Sequence, residues 1–189
     1  MTLAAEAPHA SNLRVRRLTA AALTAALTAA LGPFSITLGP VPFSIQTFGV
    51  ALAAMLLPAG WAAGAMALYV ALGAAGLPVF AKGAAGLGVL AGPTGGYLVG
   101  FILAAGLGAL ARTALGRSDM RELVADMLAG LTLIATIYAV GTAWLAFSLH
   151  LSLVAAITAG VAPFVVADVI KVGVAILIAS AVRRAGVRL

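Results

Sequence analysis

The chain has 189 residues, of which 63% are hydrophobic and only 8% charged, whereas a soluble globular domain carries roughly a quarter charged residues, so the composition places it in a lipid bilayer. It has no cysteine, which removes disulfides, thiolate metal sites and thiol catalysis. The net charge of +6 reads as arginines at helix ends under the positive-inside rule rather than as nucleic-acid recognition, because no basic face separates from the apolar runs.

Residues 1–17 read as a disordered cytoplasmic N-terminal tail. The stretch "NLRVRRLTAAALTAALTAALGPF" at 12–34 has the basic start, apolar run and small residues of an export signal, but the equally apolar remainder makes it the first membrane helix. The basic residues outside the apolar runs form three groups: Arg14, Arg16 and Arg17; Arg112, Arg117 and Arg121; Arg183, Arg184 and Arg188. With all three groups cytoplasmic, each interval between them holds an even number of spans. At roughly 20 residues per span, residues 18–111 take four and 122–182 take two. The prediction is an all-α integral membrane protein with six transmembrane helices and both termini cytoplasmic, its membrane domain at 18–184 and a cytoplasmic C-terminal tail at 185–189. Gly and Pro breakers put the helices near 18–34, 45–58, 61–76, 93–112, 122–148 and 155–184. The second and third look short for a full crossing. Loops near 35–44, 77–94 and 149–153 then face outward.

Helix one repeats small residues at fourfold spacing, Ala22, Ala26 and Ala30 on one stripe and Ala21, Ala25 and Ala29 on the next, a pattern that lets another helix approach closely. Gln46 and Thr47 follow the turn "LGPVPFSI"; they either hydrogen-bond at a cavity mouth or cap helix two. The loop "GLPVFAKGAAGLGVLAGPTGGY" at 76–97 holds Lys82 among many Gly and Pro. It is no phosphate loop, since the Lys-Ser/Thr of a Walker A motif is missing. Either its glycines let backbone amides close on a small polar ligand, with Phe80 and Tyr97 as apolar walls, or it is a tight helix-to-helix turn. Asp119, Glu122 and Asp126 read as solvated charges suited to the start of helix five. Tyr138 and Trp144 read as interfacial belt or core, and His150 as a loop residue. In the last helix, "FVVADVIKVGVAILI" puts Asp168 and Lys171 on one face of an apolar span. Charges inside a membrane are costly and turn to a bundle interior or wet cavity, so this pair is the leading candidate for a binding site. No cofactor or metal site is expected, and without Cys, with two His and one buried acid, no enzyme active site can be assembled.

The order "VPFSIQTFGV", "YVALGAAGLPVFA", "GLGVLAGPTGGYLVGF" and "DVIK" resembles the BioY family, the biotin-binding S components of energy-coupling factor vitamin transporters, over about residues 18–184. The resemblance implies a six-helix protein of the bacterial or archaeal cytoplasmic membrane that captures biotin from outside and works with a transmembrane coupling protein and ABC ATPases. It implies that Asp168 and Lys171 belong to the ligand site, lined further by some of Gly86, Gly92, Thr94, Gly95 and Tyr97, with Phe80, Gln46 and Lys82 as further candidates. It also implies that the Ala22, Ala26 and Ala30 stripe docks on the coupling protein. An S component for another vitamin, or a self-sufficient secondary transporter with Asp168 as proton carrier, are the rival readings.

Overall fold

The computed structural model describes residues 8–114, 119–186 and 189. Helix α1, Pro8–Leu31, begins ten residues before the expected start, because the arginine-bearing segment holds only helix-compatible residues after a proline in the first turn. Residues 8–17 of the expected tail are therefore helical, and residues 1–7 lie outside the described residues. Gly32 and Pro33 end α1 as expected. Ala22, Ala26 and Ala30 are exposed along it, while Ala21 and Ala25 turn inward against α2 and α3.

The expected loop at 35–44 is instead a hairpin, β1 Ser35–Leu38 antiparallel to β2 Val41–Ser44, with Ser35 opposite Ser44 and Leu38 opposite Val41. Gly39, at φ 79°, supplies the left-handed position that a two-residue connection demands. Pro42 is tolerated because a two-stranded ladder has only edge strands.

Helix α2, Gln46–Leu56, ends where Leu57 turns extended ahead of Pro58, and α3, Ala59–Ala74, starts directly after. A 3-10 turn at Ala81–Gly83 and the short α4, Leu87–Ala91, occupy the Gly-rich loop. Then come α5, Gly95–Thr113, and α6, Asp119–Leu149. The helix expected at 155–184 is two: α7, Leu153–Gly160, capped by the Ser152 side chain, and α8, Val165–Arg184. Pro163, lacking an N–H, breaks it.

Among the described residues, three helices are long and apolar enough to cross a membrane: Gly95–Thr113, Glu122–Leu149 and Val165–Arg184, with mean hydropathies of 1.4, 2.0 and 2.3. Leu131 and Leu177, 67% and 71% exposed, face outward, as lipid rather than water permits. Helix α2 is buried at nearly every position, so protein is its surroundings. Helices α5 and α6 share a close seam: a Cβ at Gly96 would fall 2.2 Å from Trp144 Cβ, and one at Gly108 3.1 Å from the Ala129 carbonyl oxygen. Gly96, Gly100, Ala104 and Gly108 thus form a small-residue stripe at fourfold spacing.

The expectation that Asp126 is a solvated helix-start charge is overturned. It is 1% exposed, paired with Arg112 at 2.7 Å and with Arg183, so it bridges α5, α6 and α8. Glu122 remains half-buried at the edge of this cluster. Arg117 and Arg188, and the side chains of Asp119 and Arg121, lie outside the described residues.

Candidate ligand-binding site

At the end of the bundle remote from these arginines, the hairpin, the Gly-rich loop and the starts of α2, α5 and α8 surround a cavity of ≈ 280 Å³. Asp168 stands in the first turn of α8 and is 6% exposed. Its Oδ1 accepts from Lys171 Nζ at 2.8 Å, three residues on, and its Oδ2 from the Tyr138 hydroxyl at 2.6 Å. Lys171 Nζ also donates to the Ser44 carbonyl at 2.6 Å and sits 4.0 Å above the Phe43 ring. Phe43 in turn stacks on Phe164, centroids 6.4 Å apart. A buried pair of opposite charges is held because each group has further polar partners, as low-dielectric burial requires.

The opposite wall is also ordered by hydrogen bonds. Gln46 Nε2 donates to the Tyr69 hydroxyl, which lies 3.3 Å from the Val79 carbonyl, and Gln46 Oε1 accepts from Ser44 Oγ at 2.9 Å. Gln46 therefore does not cap α2; it ties β2 to α3 while lining the cavity. Phe80 is 1% exposed, edge-on to Tyr69 with centroids 5.7 Å apart. Tyr97 donates to the Gly160 carbonyl at 3.0 Å, which seats α5 on the α7 terminus.

Of the residues singled out from sequence, Asp168, Lys171, Tyr97, Thr94, Phe80, Gln46 and Lys82 all line this cavity. Lys82 is exposed at its rim, in left-handed conformation at φ 62°, its backbone N–H donating to Ser35 Oγ at 2.7 Å. Gly86, Gly92 and Gly95 are not among the lining residues. Gly86, at φ 91°, donates its N–H to the Gly73 carbonyl at 2.7 Å. The Gly92 carbonyl accepts from the Trp144 indole at 2.9 Å. A Cβ on Gly95 would fall 1.8 Å from the Leu90 carbonyl oxygen. In this structure the glycines let the loop fold on itself, and the walls are made by the loop's own Phe80, Lys82 and Thr94 together with side chains from the hairpin and the helices.

Sequence reasoning set Tyr138 aside as belt or core and missed Phe43, the Ser44 carbonyl and Phe164. The aromatic at 43 within "VPFS" was the one available signal. Nothing local marks a carbonyl as the acceptor for a lysine far along the chain.

The family model described as "BioY family" matches residues 5–188. The chain is 45% identical over 166 residues to the biotin transporter BioY of Thermotoga maritima, covering 87% of this chain and 94% of that one. It is 37% identical over 162 residues to the biotin transporter BioY2 of Lactococcus lactis subsp. cremoris, covering 85% and 86%. Its structure is similar to the crystal structure of the S-component for biotin from an ECF-type ABC transporter, with a TM-score of 0.81, 25% identity and 95% of each chain covered. The chain, a multi-pass membrane protein with a buried Asp–Lys pair in a largely apolar cavity at one end of its bundle, belongs to the BioY family.

Proposed function

We propose that this protein captures biotin and carries it across the cytoplasmic membrane of a bacterium or archaeon as the substrate-binding S component of an energy-coupling factor transporter. It is a transporter and not an enzyme. The observation that carries the reading is the donor and acceptor count at Asp168 and Lys171. Each Asp168 oxygen is engaged once, and a carboxylate offers about two lone-pair sites per oxygen, so it keeps acceptor capacity for the two N–H groups of a cyclic urea. Lys171 uses two of its three donors, leaving one for the ureido carbonyl. Phe43, Phe80, Tyr97 and Phe164 supply apolar walls for the bicyclic body. Thr94, whose side chain makes no bond to its own helix, and Lys82 at the rim stand ready for the valerate carboxylate, and Gly86, Gly92 and Gly95 shape the loop that presents them.

Six crossings by α1, α2, α3, α5, α6 and α8 are supported by their alternation. The chain ends of α1, α3 and α6 and the starts of α2, α5 and α8 gather toward the cavity, while Arg112 and Arg183 meet at the far end. Both termini then belong with the arginines in the cytoplasm. With no Walker A motif in the chain, ATP hydrolysis falls to partner ATPases through a transmembrane coupling protein.

Isothermal titration of the purified protein with biotin, desthiobiotin, thiamine and riboflavin tests the ligand. Heat confined to biotin-like ligands supports the reading, and a response to thiamine or riboflavin alone replaces the substrate. Tyr138→Phe removes one hydrogen bond to Asp168 and is expected to weaken biotin binding by about 0.5–1.5 kcal/mol; unchanged affinity in the same titration would show that Tyr138 does not orient the carboxylate.

The exposed Ala22, Ala26 and Ala30 stripe is the proposed docking face for the coupling protein. Ala26→Leu is expected to abolish coupled uptake in cells while leaving the biotin titration as in wild type, because a branched side chain prevents close helix approach. Normal uptake by that variant, with the partners present, moves the docking face elsewhere.

A further inference from the structure

The arginine end of the bundle buries charges that ligand capture does not use. Asp126 of α6 accepts from Arg112 Nε of α5 at 2.7 Å and from the Arg183 guanidinium of α8. The same guanidinium donates from Nη1 to the Met55 carbonyl at 3.3 Å and lies 3.5 Å from Glu122 Oε2. Met55 is in the last turn of α2, whose final carbonyls have no donor within the helix and carry the negative end of its dipole. Arg183 thus fastens the end of α2 to α8 and, through Asp126, to α5 and α6.

The other fastening between α2 and α8 lies at the cavity, where Lys171 Nζ reaches the Ser44 carbonyl, at 2.6 Å, just ahead of α2. From Ser44 to Met55 and from Lys171 to Arg183 the chain advances about three helical turns in each case. The two helices therefore run parallel, joined by a cation at each end. Between the joints the buried residues include Ala51 on α2 and Ala175 and Ala179 on α8, all 0% exposed, whereas Ala54 turns to Gly108 of α5.

We propose that the Arg183–Asp126–Arg112 cluster is a positioning device for the ligand site: it sets the axial register of α8 on α2, and so the height at which Asp168 and Lys171 meet the cavity. These residues touch no ligand and act through α8. The inference rests on the reading of the cavity as the biotin site.

The test is Arg183→Gln in the full-length protein, alone and combined with Asp168→Asn. Expected is about a tenfold rise in the biotin Kd for the single substitution, shrinking to little further loss in the Asp168→Asn background, the non-additivity of groups acting through one site. An equal factor in both backgrounds, accompanying a lower melting temperature, would mark a merely structural role and overturn the proposal. A second readout needs no ligand: amide hydrogen exchange across residues 165–172 of the unliganded protein is expected to quicken in Arg183→Gln. Unchanged exchange there refutes the device, whereas a wild-type protein silent toward biotin refutes the ligand and leaves the exchange result standing. Should Arg183→Gln fail to fold, Asp126→Asn, which keeps the side-chain volume, is read in the same two ways.

Discussion

Replacing Asp168 by Asn is expected to weaken biotin binding by at least about 1.5 kcal/mol, or roughly tenfold, the low end for a hydrogen bond to a charged group. The carboxylate accepts from Lys171 and Tyr138 at once. An amide offers one oxygen and turns an NH₂ donor toward one of those two donors, so either the phenol or the ammonium loses its acceptor. Lys171 is then a buried cation without its counter-charge, and breaking one partner of such a pair is costlier than never having built it. The ureido N–H groups lose acceptor capacity in the same step. Titration of the purified variant decides the matter. Wild-type affinity would remove Asp168 from the site, and a loss toward biotin matched by an equal loss toward an analogue lacking ureido N–H groups would make its role one of packing alone.

The second large effect is expected at a residue that carries no side chain at all. A Cβ at Gly32 would fall 1.9 Å from the Val79 carbonyl oxygen and 2.9 Å from Gln46 Nε2. The obstacle is backbone, and it is the same carbonyl that lies within hydrogen-bond reach of Tyr69 and Gln46. Gly32→Ala must therefore displace the segment carrying Phe80 or shift the end of α1, at a cost of roughly 1–3 kcal/mol for overpacking. We expect the melting temperature and the biotin affinity to fall together, since Gln46 and Phe80 both line the cavity. Gly60→Ala is the matched control: nothing lies within 4 Å of its Cβ position, and an alanine in a helix is favourable. If the two variants melt alike, the close seat of α1 on the 77–80 segment is refuted.

Much of the frame was legible before any coordinates. Pro58, Gly76 and Pro78 punctuate the apolar runs where helices end, because a missing N–H and a free φ act within one turn. The pairing of Asp168 with Lys171 could be read from a spacing of three, since helical periodicity is itself local. The hairpin escaped because prolines at 40 and 42 argue against strands, a bias that a two-stranded edge ladder relaxes. The break between α7 and α8 was visible in Pro163 but hidden by the apolar run around it. Asp126 was read by its neighbours in sequence, although its burial depends on arginines from α5 and α8.

By itself, then, the sequence determined that this chain lives in a membrane, where most of its long helices stop, and which two charges share a face of the last one. Each of these follows from short-range sterics or from the cost of charge in lipid. Tertiary structure alone decided that Tyr138, 30 residues away, and the Ser44 carbonyl, 127 residues away, complete the environment of that pair. It also decided that the loop glycines serve the fold of the loop while side chains from five helices and a hairpin line the cavity. Those contacts depend on how helices pack across the bundle, and packing is selected by the fit of whole surfaces, for which no local spacing carries a signature.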